Sequence, residues 1–233
     1  MRRHSLPALL LASVLALPVH AQEKEPEKPA KGDEKKGDEK PKTPDKPDAR
    51  PDKKDEVFLD GVEKVDLKEP LLRVTRPSKS WVFLNLDLLK KQELDKATRR
   101  REAILEEQSR LHARLYYGSA SATFFVMSWV DDRKDLTAET LGGEVLAQTK
   151  AALKDGGKVT ANGRAKHGKL EAWGIELEGA PAAGGEELCV SKLVFVRPED
   201  RRVFLLILEH PKKHAELVKK EKGKLFSGVK VAP

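Results

Sequence analysis

Four sets of residues in this chain are of types that do chemistry: His210 with His214, Asp131 with Asp132, His167, and Cys189. Two histidines four apart match metal ligands on one helix face, but Pro211 stands between them and marks a helix start, which puts His210 outside the helix. No third ligand is local, so no metal is expected. Asp131-Asp132 offers carboxylates for holding a cation or for acid and base work. A turn that ends a strand ahead of a helix uses the same residues to satisfy backbone groups, and that structural role is expected here. His167 lies beside Gly168 at an expected hairpin tip, where a solvent-facing imidazole is ordinary. Cys189 shares a strand face with Leu193 and Phe195 and is expected to be a buried, inert thiol. Trp81, Trp129 and Trp173 are expected in the core. The chain has no Gly-x-Ser-x-Gly elbow, no His-Glu-x-x-His, no phosphate loop and no Cys-x-x-Cys, so no catalytic residue, metal or cofactor is assigned.

Charge gives the next candidates. The 233 residues carry 45 Lys and Arg against 38 Asp and Glu, a formal net charge of +7. The cations concentrate at Lys90-Lys91, Arg99-Arg100-Arg101 and a C-terminal group that includes Lys222. Within that group, Lys212, Lys213, Lys219, Lys220 and Lys224 are candidate contacts for an anionic glycan or lipid; the competing reading is a solvated helix face. Nucleic acid is not expected as a partner, because no aromatic residue is interleaved with these lysines as a base-stacking platform requires.

The elements that position these residues begin after two segments of other kinds. Residues 1–21 combine Arg2 and Arg3, an apolar run from Leu6 to Val19 and a small residue at Ala21, the pattern of a cleavable secretory signal peptide. The run is shorter than the ~20 residues of a membrane span, so no retained anchor is expected and the product is periplasmic or extracellular and soluble. Arg2-Arg3 also admits a twin-arginine export route. Residues 22–56 contain no aliphatic side chain larger than alanine and no aromatic. Such a Lys/Glu/Asp/Pro-rich segment cannot bury enough apolar surface to offset its ordering entropy and is expected to be a disordered linker. KGDEK at Lys31–Lys35 recurs unchanged at Lys36–Lys40, a low-complexity repeat. With Cys189 the only cysteine, residues 57–233 must form one domain stabilised by its core and by no internal disulfide.

Within that domain the patterning predicts a strand over Val82–Leu89, entered through Trp81, and a charged helix from Gln92 to His112 with Asp95–Arg99 and Glu106–Arg110 as i,i+4 pairs. Ala122–Val130 and Val203–Leu208 are apolar on both faces and must be covered on both sides. Thr137 is placed to cap a helix from Ala138 to about Leu153. Gly142-Gly143 inside it fits either close approach to a strand or a break. Lys158–Ala165 with Leu170–Glu178, and Leu188–Val196 with Val203–Glu209, read as hairpins, the second turning at Arg197-Pro198-Glu199-Asp200. Pro211 is expected to begin a basic helix reaching about Gly223, and Phe226–Val231 a closing strand. The fold class is therefore α+β, an antiparallel sheet flanked by helices in an α/β/α sandwich.

The order of these elements, from the strand opened by Pro77–Trp81 through Ala122–Val130, the Thr137 helix, the strands carrying Trp173 and Val203–Leu208, to Phe226–Val231, resembles the PsbP-like fold. That resemblance implies a non-catalytic binding or chaperone role and supplies no common active site to carry over. Three functions are left in view. One is an exported binding or adaptor domain acting on another envelope protein. The second is a surface-charge module for anionic glycan or lipid. The third is an envelope enzyme assembled from dispersed residues such as Asp131, His167 and His210.

Overall fold

Strands with apolar side chains on both faces need two cores, and the fold provides them. The computed structural model describes residues 57–96, 101–153, 156–181 and 185–231. The expected signal peptide, the linker, and Ala97 and Arg99 of the expected helix lie outside them. In chain order the elements are β1 (Phe58–Leu59), β2 (Lys64–Leu67), β3 (Leu72–Thr75), β4 (Trp81–Leu84), α1 (Leu86–Lys96), α2 (Arg101–Arg110), β5 (Leu111–Tyr117) and β6 (Ala122–Val130). There follow α3 (Ala138–Ala152), β7 (Lys158–His167), β8 (Leu170–Pro181), β9 (Glu187–Arg197), β10 (Arg202–Pro211), α4 (Ala215–Ser227) and β11 (Val229–Val231).

Eight strands form one antiparallel sheet in the order β1-β4-β5-β6-β10-β9-β8-β7, and β11-β3-β2 form a second, three-stranded sheet. On one face of the large sheet Phe124, Val126, Phe195, Phe204 and Leu206 pack with Val218 and Leu225 of α4 and with Leu72, Val74 and Val229 of the small sheet. On the other, Phe125, Val194, Val203, Leu205 and Ile207 pack with Leu141 and Val145 of α3. Each such side chain, fully removed from water, contributes about 1.5–3 kcal/mol. The α/β/α sandwich holds, with the small sheet sharing one outer layer with α4.

The local signals at α3 act as expected. Thr137 Oγ1 accepts from the Thr140 amide at 3.1 Å and Thr140 Oγ1 accepts from the Thr137 amide at 3.0 Å, a reciprocal cap. The two glycines separate: a Cβ at Gly142 would lie 2.1 Å from the Trp173 ring, while one at Gly143 would meet nothing within 4 Å. Gly142 is thus the close approach of α3 to β8, and α3 is unbroken through both. The β9–β10 turn closes with Arg197 Nε donating to Asp200 Oδ1 at 2.9 Å. That bond, opposed in part by burial, lowers the Asp200 carboxyl to about 2.

Several expectations are corrected. The run Val82–Leu89 is not one strand: β4 stops at Leu84, and Asn85 starts α1, its side chain accepting from the Leu88 amide at 3.3 Å. Leu86 and Leu89 fit a helical stripe as well as an alternating one, and the cap at Asn85 decides between them. The helix expected to reach His112 ends at Arg110, and Leu111–Tyr117 is a strand between β4 and β6. Leu111 continued the helical stripe, while His112 and Arg114 disguised the strand. The strands β1 to β3 fall where no element was assigned. Pro211 closes β10, and the helix begins only after a 3-10 turn at Lys212–His214. The closing strand expected over Phe226–Val231 is confined to Val229–Val231 and pairs with β3, Val229 opposite Val74.

Candidate functional site

The β7–β8 hairpin tip, the C-terminal end of α4 and strand β11 converge on a groove of about 670 Å³. Hairpin pairing brings His167 opposite Leu170, with Gly168 at a φ of 62° making the tight turn between them. His167 folds back over the sheet, its ring stacked on Phe195 with centroids 4.3 Å apart, and Phe195 in turn stacks on Phe204 at 5.2 Å. Its Nε2–H donates to the Val229 carbonyl at 2.9 Å, which fixes the tautomer and ties the hairpin to β11. Burial, the largest influence, lowers the His167 pKa, the Val229 bond opposes this, and nearby Lys230 adds to the lowering. The imidazole is half-buried and not the solvent-facing group expected at a hairpin tip.

Gly228 sets the entry to β11. Its carbonyl accepts from the Thr75 amide at 3.0 Å, and a Cβ there would stand 2.6 Å from the Thr75 carbonyl oxygen, so only glycine lets β11 approach β3 this closely. The groove that results has an apolar floor, which includes Leu170, Leu193 and Phe226, and a rim bearing Lys166, Lys169 and Lys230. Arg197 also lines it but is paired with Asp200, and Glu199 is the one carboxylate among the described residues of the lining, against three lysines and this arginine. Lys166 stands 4.0 Å from Glu171, both ends well exposed. Among the described residues no carboxylate lies within ion-pair distance of Lys169 or Lys230. This arrangement can hold an apolar group while offering cations to an anion beside it.

The residues singled out from the sequence lie elsewhere or serve the fold. His210 is buried at the end of β10, its Nδ1–H donating to the Pro211 carbonyl at 3.0 Å. It pairs across the ladder with Cys189, six residues or about 20 Å of strand along β9 from the Phe195 that His167 covers. Asp131 follows β6, four strands across from β7 or about 19 Å, and both its oxygens bind Arg133, at 2.9 and 2.8 Å. The structure therefore does not bring Asp131, His167 and His210 together. Cys189 is half-buried, not buried as expected; burial first, then Glu178, pushes its thiol up, which disfavours the thiolate. No group of three or more potential metal ligands occurs among the described residues.

The basic C-terminal residues are largely matched by carboxylates. Lys212 lies 2.8 Å from Glu187 and 3.3 Å from Glu178, Lys213 2.5 Å from Glu186, Lys219 3.9 Å from Glu216 and Lys222 2.6 Å from Glu176. Lys220 and Lys224 are exposed, with no such partner among the described residues.

Two polar clusters were not singled out in the sequence. On the α3 face Lys192 is buried, its Nζ donating to Thr149 Oγ1 at 2.9 Å, and burial lowers it to about 8. Burial likewise raises Glu209 to about 7, with Lys192 and Arg114 opposing the shift. On the groove face His112 Nε2 lies 2.7 Å from Ser128 Oγ, and burial, with Arg202 adding to it, lowers the imidazole to about 4. The signal for both was a polar residue set into an otherwise apolar strand.

No family model and no curated protein matches the chain. Among solved structures it is similar to cyanobacterial PsbP from Synechocystis sp. PCC 6803, at 10% identity and a TM-score of 0.47, covering 74% of this chain and 95% of that one. It is also similar to LpqN, involved in cell envelope biogenesis of Mycobacterium tuberculosis, at 14% identity and a TM-score of 0.45, covering 73% and 90%. The Ran-binding protein Mog1p of Saccharomyces cerevisiae aligns at 9% identity and a TM-score of 0.38, covering 72% and 94%. The resemblance to the PsbP-like fold is weak and concerns the fold. Among the described residues no helix is long and apolar enough to cross a membrane.

Proposed function

We propose that this chain is an exported, non-catalytic adaptor domain that holds another envelope protein in the groove between the β7–β8 tip and β11. Export rests on the character of residues 1–21, and the 35 residues from Gln22 to Glu56 serve as a solvated spacer ahead of the domain. The observation that carries the binding reading is the groove itself: an apolar floor with a cationic rim, built where two sheets and a helix meet. The non-catalytic reading is supported by the commitments of the polar groups. The Nε2–H of His167, the Nδ1–H of His210 and both oxygens of Asp131 each serve a bond within the fold.

Site-directed photocrosslinking in the native envelope tests this. A photoreactive residue at Leu170 or Lys169 should give a discrete adduct with another protein, and one at Lys158, at the far end of the same hairpin, should not. Equal labelling from both ends, or none from the groove, would remove the reading.

A second reading, an anionic glycan or lipid held by the C-terminal lysines, draws on the exposure of Lys220 and Lys224. Flotation with phosphatidylglycerol vesicles tests it, since Lys220→Glu with Lys224→Glu should abolish any association that this face provides.

A further inference from the structure

We infer that the groove's occupant is a short extended peptide segment of the partner that presents an apolar side chain between carboxylates. This rests on the groove being the binding site and goes on to name what it binds. The floor formed by Leu170, Leu193 and Phe226 takes an apolar group, and Lys169 and Lys230 stand at the rim with no carboxylate in ion-pair range among the described residues. Charge complementarity then selects an acidic ligand over a basic one, because opposing a rim cation with a like charge is penalised.

The wall made by β11 argues for main chain in that ligand. In the order β11-β3-β2 this strand is outermost, so one of its edges lacks a neighbour in its own sheet. The Gly228 carbonyl turns toward β3, where it meets the Thr75 amide, and the Val229 carbonyl turns the other way, where His167 takes it. By the two-residue alternation of a strand, Val231 repeats the orientation of Val229 and presents its backbone on the groove side. An edge of this kind is completed by another extended backbone, and the side chains flanking it supply selectivity.

The spacer of this same chain does not meet the description. Residues 22–56 are mixed in charge, and their apolar side chains are prolines and two alanines, so they offer no Val, Leu, Ile, Met or aromatic side chain to seat on Phe226. The occupant is therefore assigned to another protein, which can supply a larger apolar side chain between carboxylates.

The test uses the full chain without residues 1–21 and three C-terminally amidated peptides carrying fluorescein on the N-terminal amine, DEVLVDE, its basic counterpart KKVLVKK and its apolar-free counterpart DEGSGDE, followed by fluorescence anisotropy. DEVLVDE should bind saturably and the other two at least about tenfold more weakly. Lys169→Glu and Lys230→Glu, both on exposed side chains, should each weaken DEVLVDE about tenfold, and Lys158→Glu should leave it unchanged. Comparable binding of KKVLVKK, or indifference to both reversals, overturns the inference. If phosphatidylglycerol vesicles bind with the same sensitivity to Lys169→Glu and DEVLVDE does not bind, the occupant is a lipid and the inference fails. If DEVLVDE fails while Leu170 still crosslinks to a protein in the envelope, the peptide class is wrong and the adaptor reading stands. Failure of both removes the adaptor reading as well.

Discussion

His167 and Val229, 62 residues apart in sequence, are joined by one hydrogen bond of 2.9 Å that fastens the large sheet to the small one. The ring that makes this bond also lies flat on Phe195, so one side chain serves both the polar link and the apolar stack.

These two contributions separate by substitution. His167→Phe keeps an aromatic ring on Phe195 and withdraws the donor from the Val229 carbonyl, whereas His167→Ala removes both. Urea unfolding should rank wild type above His167→Phe above His167→Ala, with the alanine variant weaker by about 1–2 kcal/mol. Amide exchange in Val229–Val231 should quicken in both. An alanine variant that unfolds with wild type and leaves that exchange unchanged would show that the link contributes nothing.

The paired glycines of α3 should answer oppositely to alanine. At position 142 a methyl group would enter the Trp173 ring and the helix must move away from β8, at a cost of about 1–3 kcal/mol. At position 143 the space is open, and Gly143→Ala should stabilise by up to about 1 kcal/mol through helix propensity. Thermal unfolding of the two variants decides, and equal effects would contradict the contact.

Phe125 and Phe204 are buried on opposite faces of adjacent strands. Truncation of either to alanine should cost about 3–5 kcal/mol, a large share of an ordinary domain's stability. A variant at one position that melts like wild type would mean that its face of the sheet is not a core.

Stability should also fall on the acid side through His112. Burial, then the neighbouring charge of Arg202, holds this imidazole neutral down to about 4 from an ordinary 6.5, with the Ser128 bond opposing. A folded pKa below the unfolded one means the contribution is complete above 6.5 and is lost as pH falls through 4. After discounting for the ring's partial exposure, about 1–2 kcal/mol should disappear across that window. His112→Gln should flatten this part of the profile measured by urea melts at successive pH values. An unchanged slope would place the acid sensitivity in other groups.

Legibility followed the range of the interactions. The central strands showed in sequence because Phe124 to Trp129 and Val203 to Leu208 are apolar at every consecutive position but one, which no one-faced strand requires. The α3 cap showed because Thr137 and Thr140 interact within one turn. The groove did not show. Its floor draws on β8, β9 and α4, and its wall exists only because Val229 pairs with Val74, 155 positions earlier in the chain. No local pattern encodes such a pairing, and a three-residue strand is too short to announce itself by alternation. His167 was located correctly at a hairpin tip, but the Phe195 that shelters it comes from a strand two places over in the sheet. The ion pairs that occupy Lys212 and Lys213 come from Glu178, Glu186 and Glu187, so the same lysines read as a free cationic face when only their own segment is considered.

The closure of the small sheet by β11 bears on how the chain is made. Synthesis runs from the amino end, so Leu72 and Val74 emerge from the ribosome long before Val229 and Val231 exist to cover them. Until β11 has emerged, that side of the core stays open, and the native packing is reached only once it is there to pair with β3. A keystone supplied by so late a strand keeps the nascent chain loose on that side until β11 has been made.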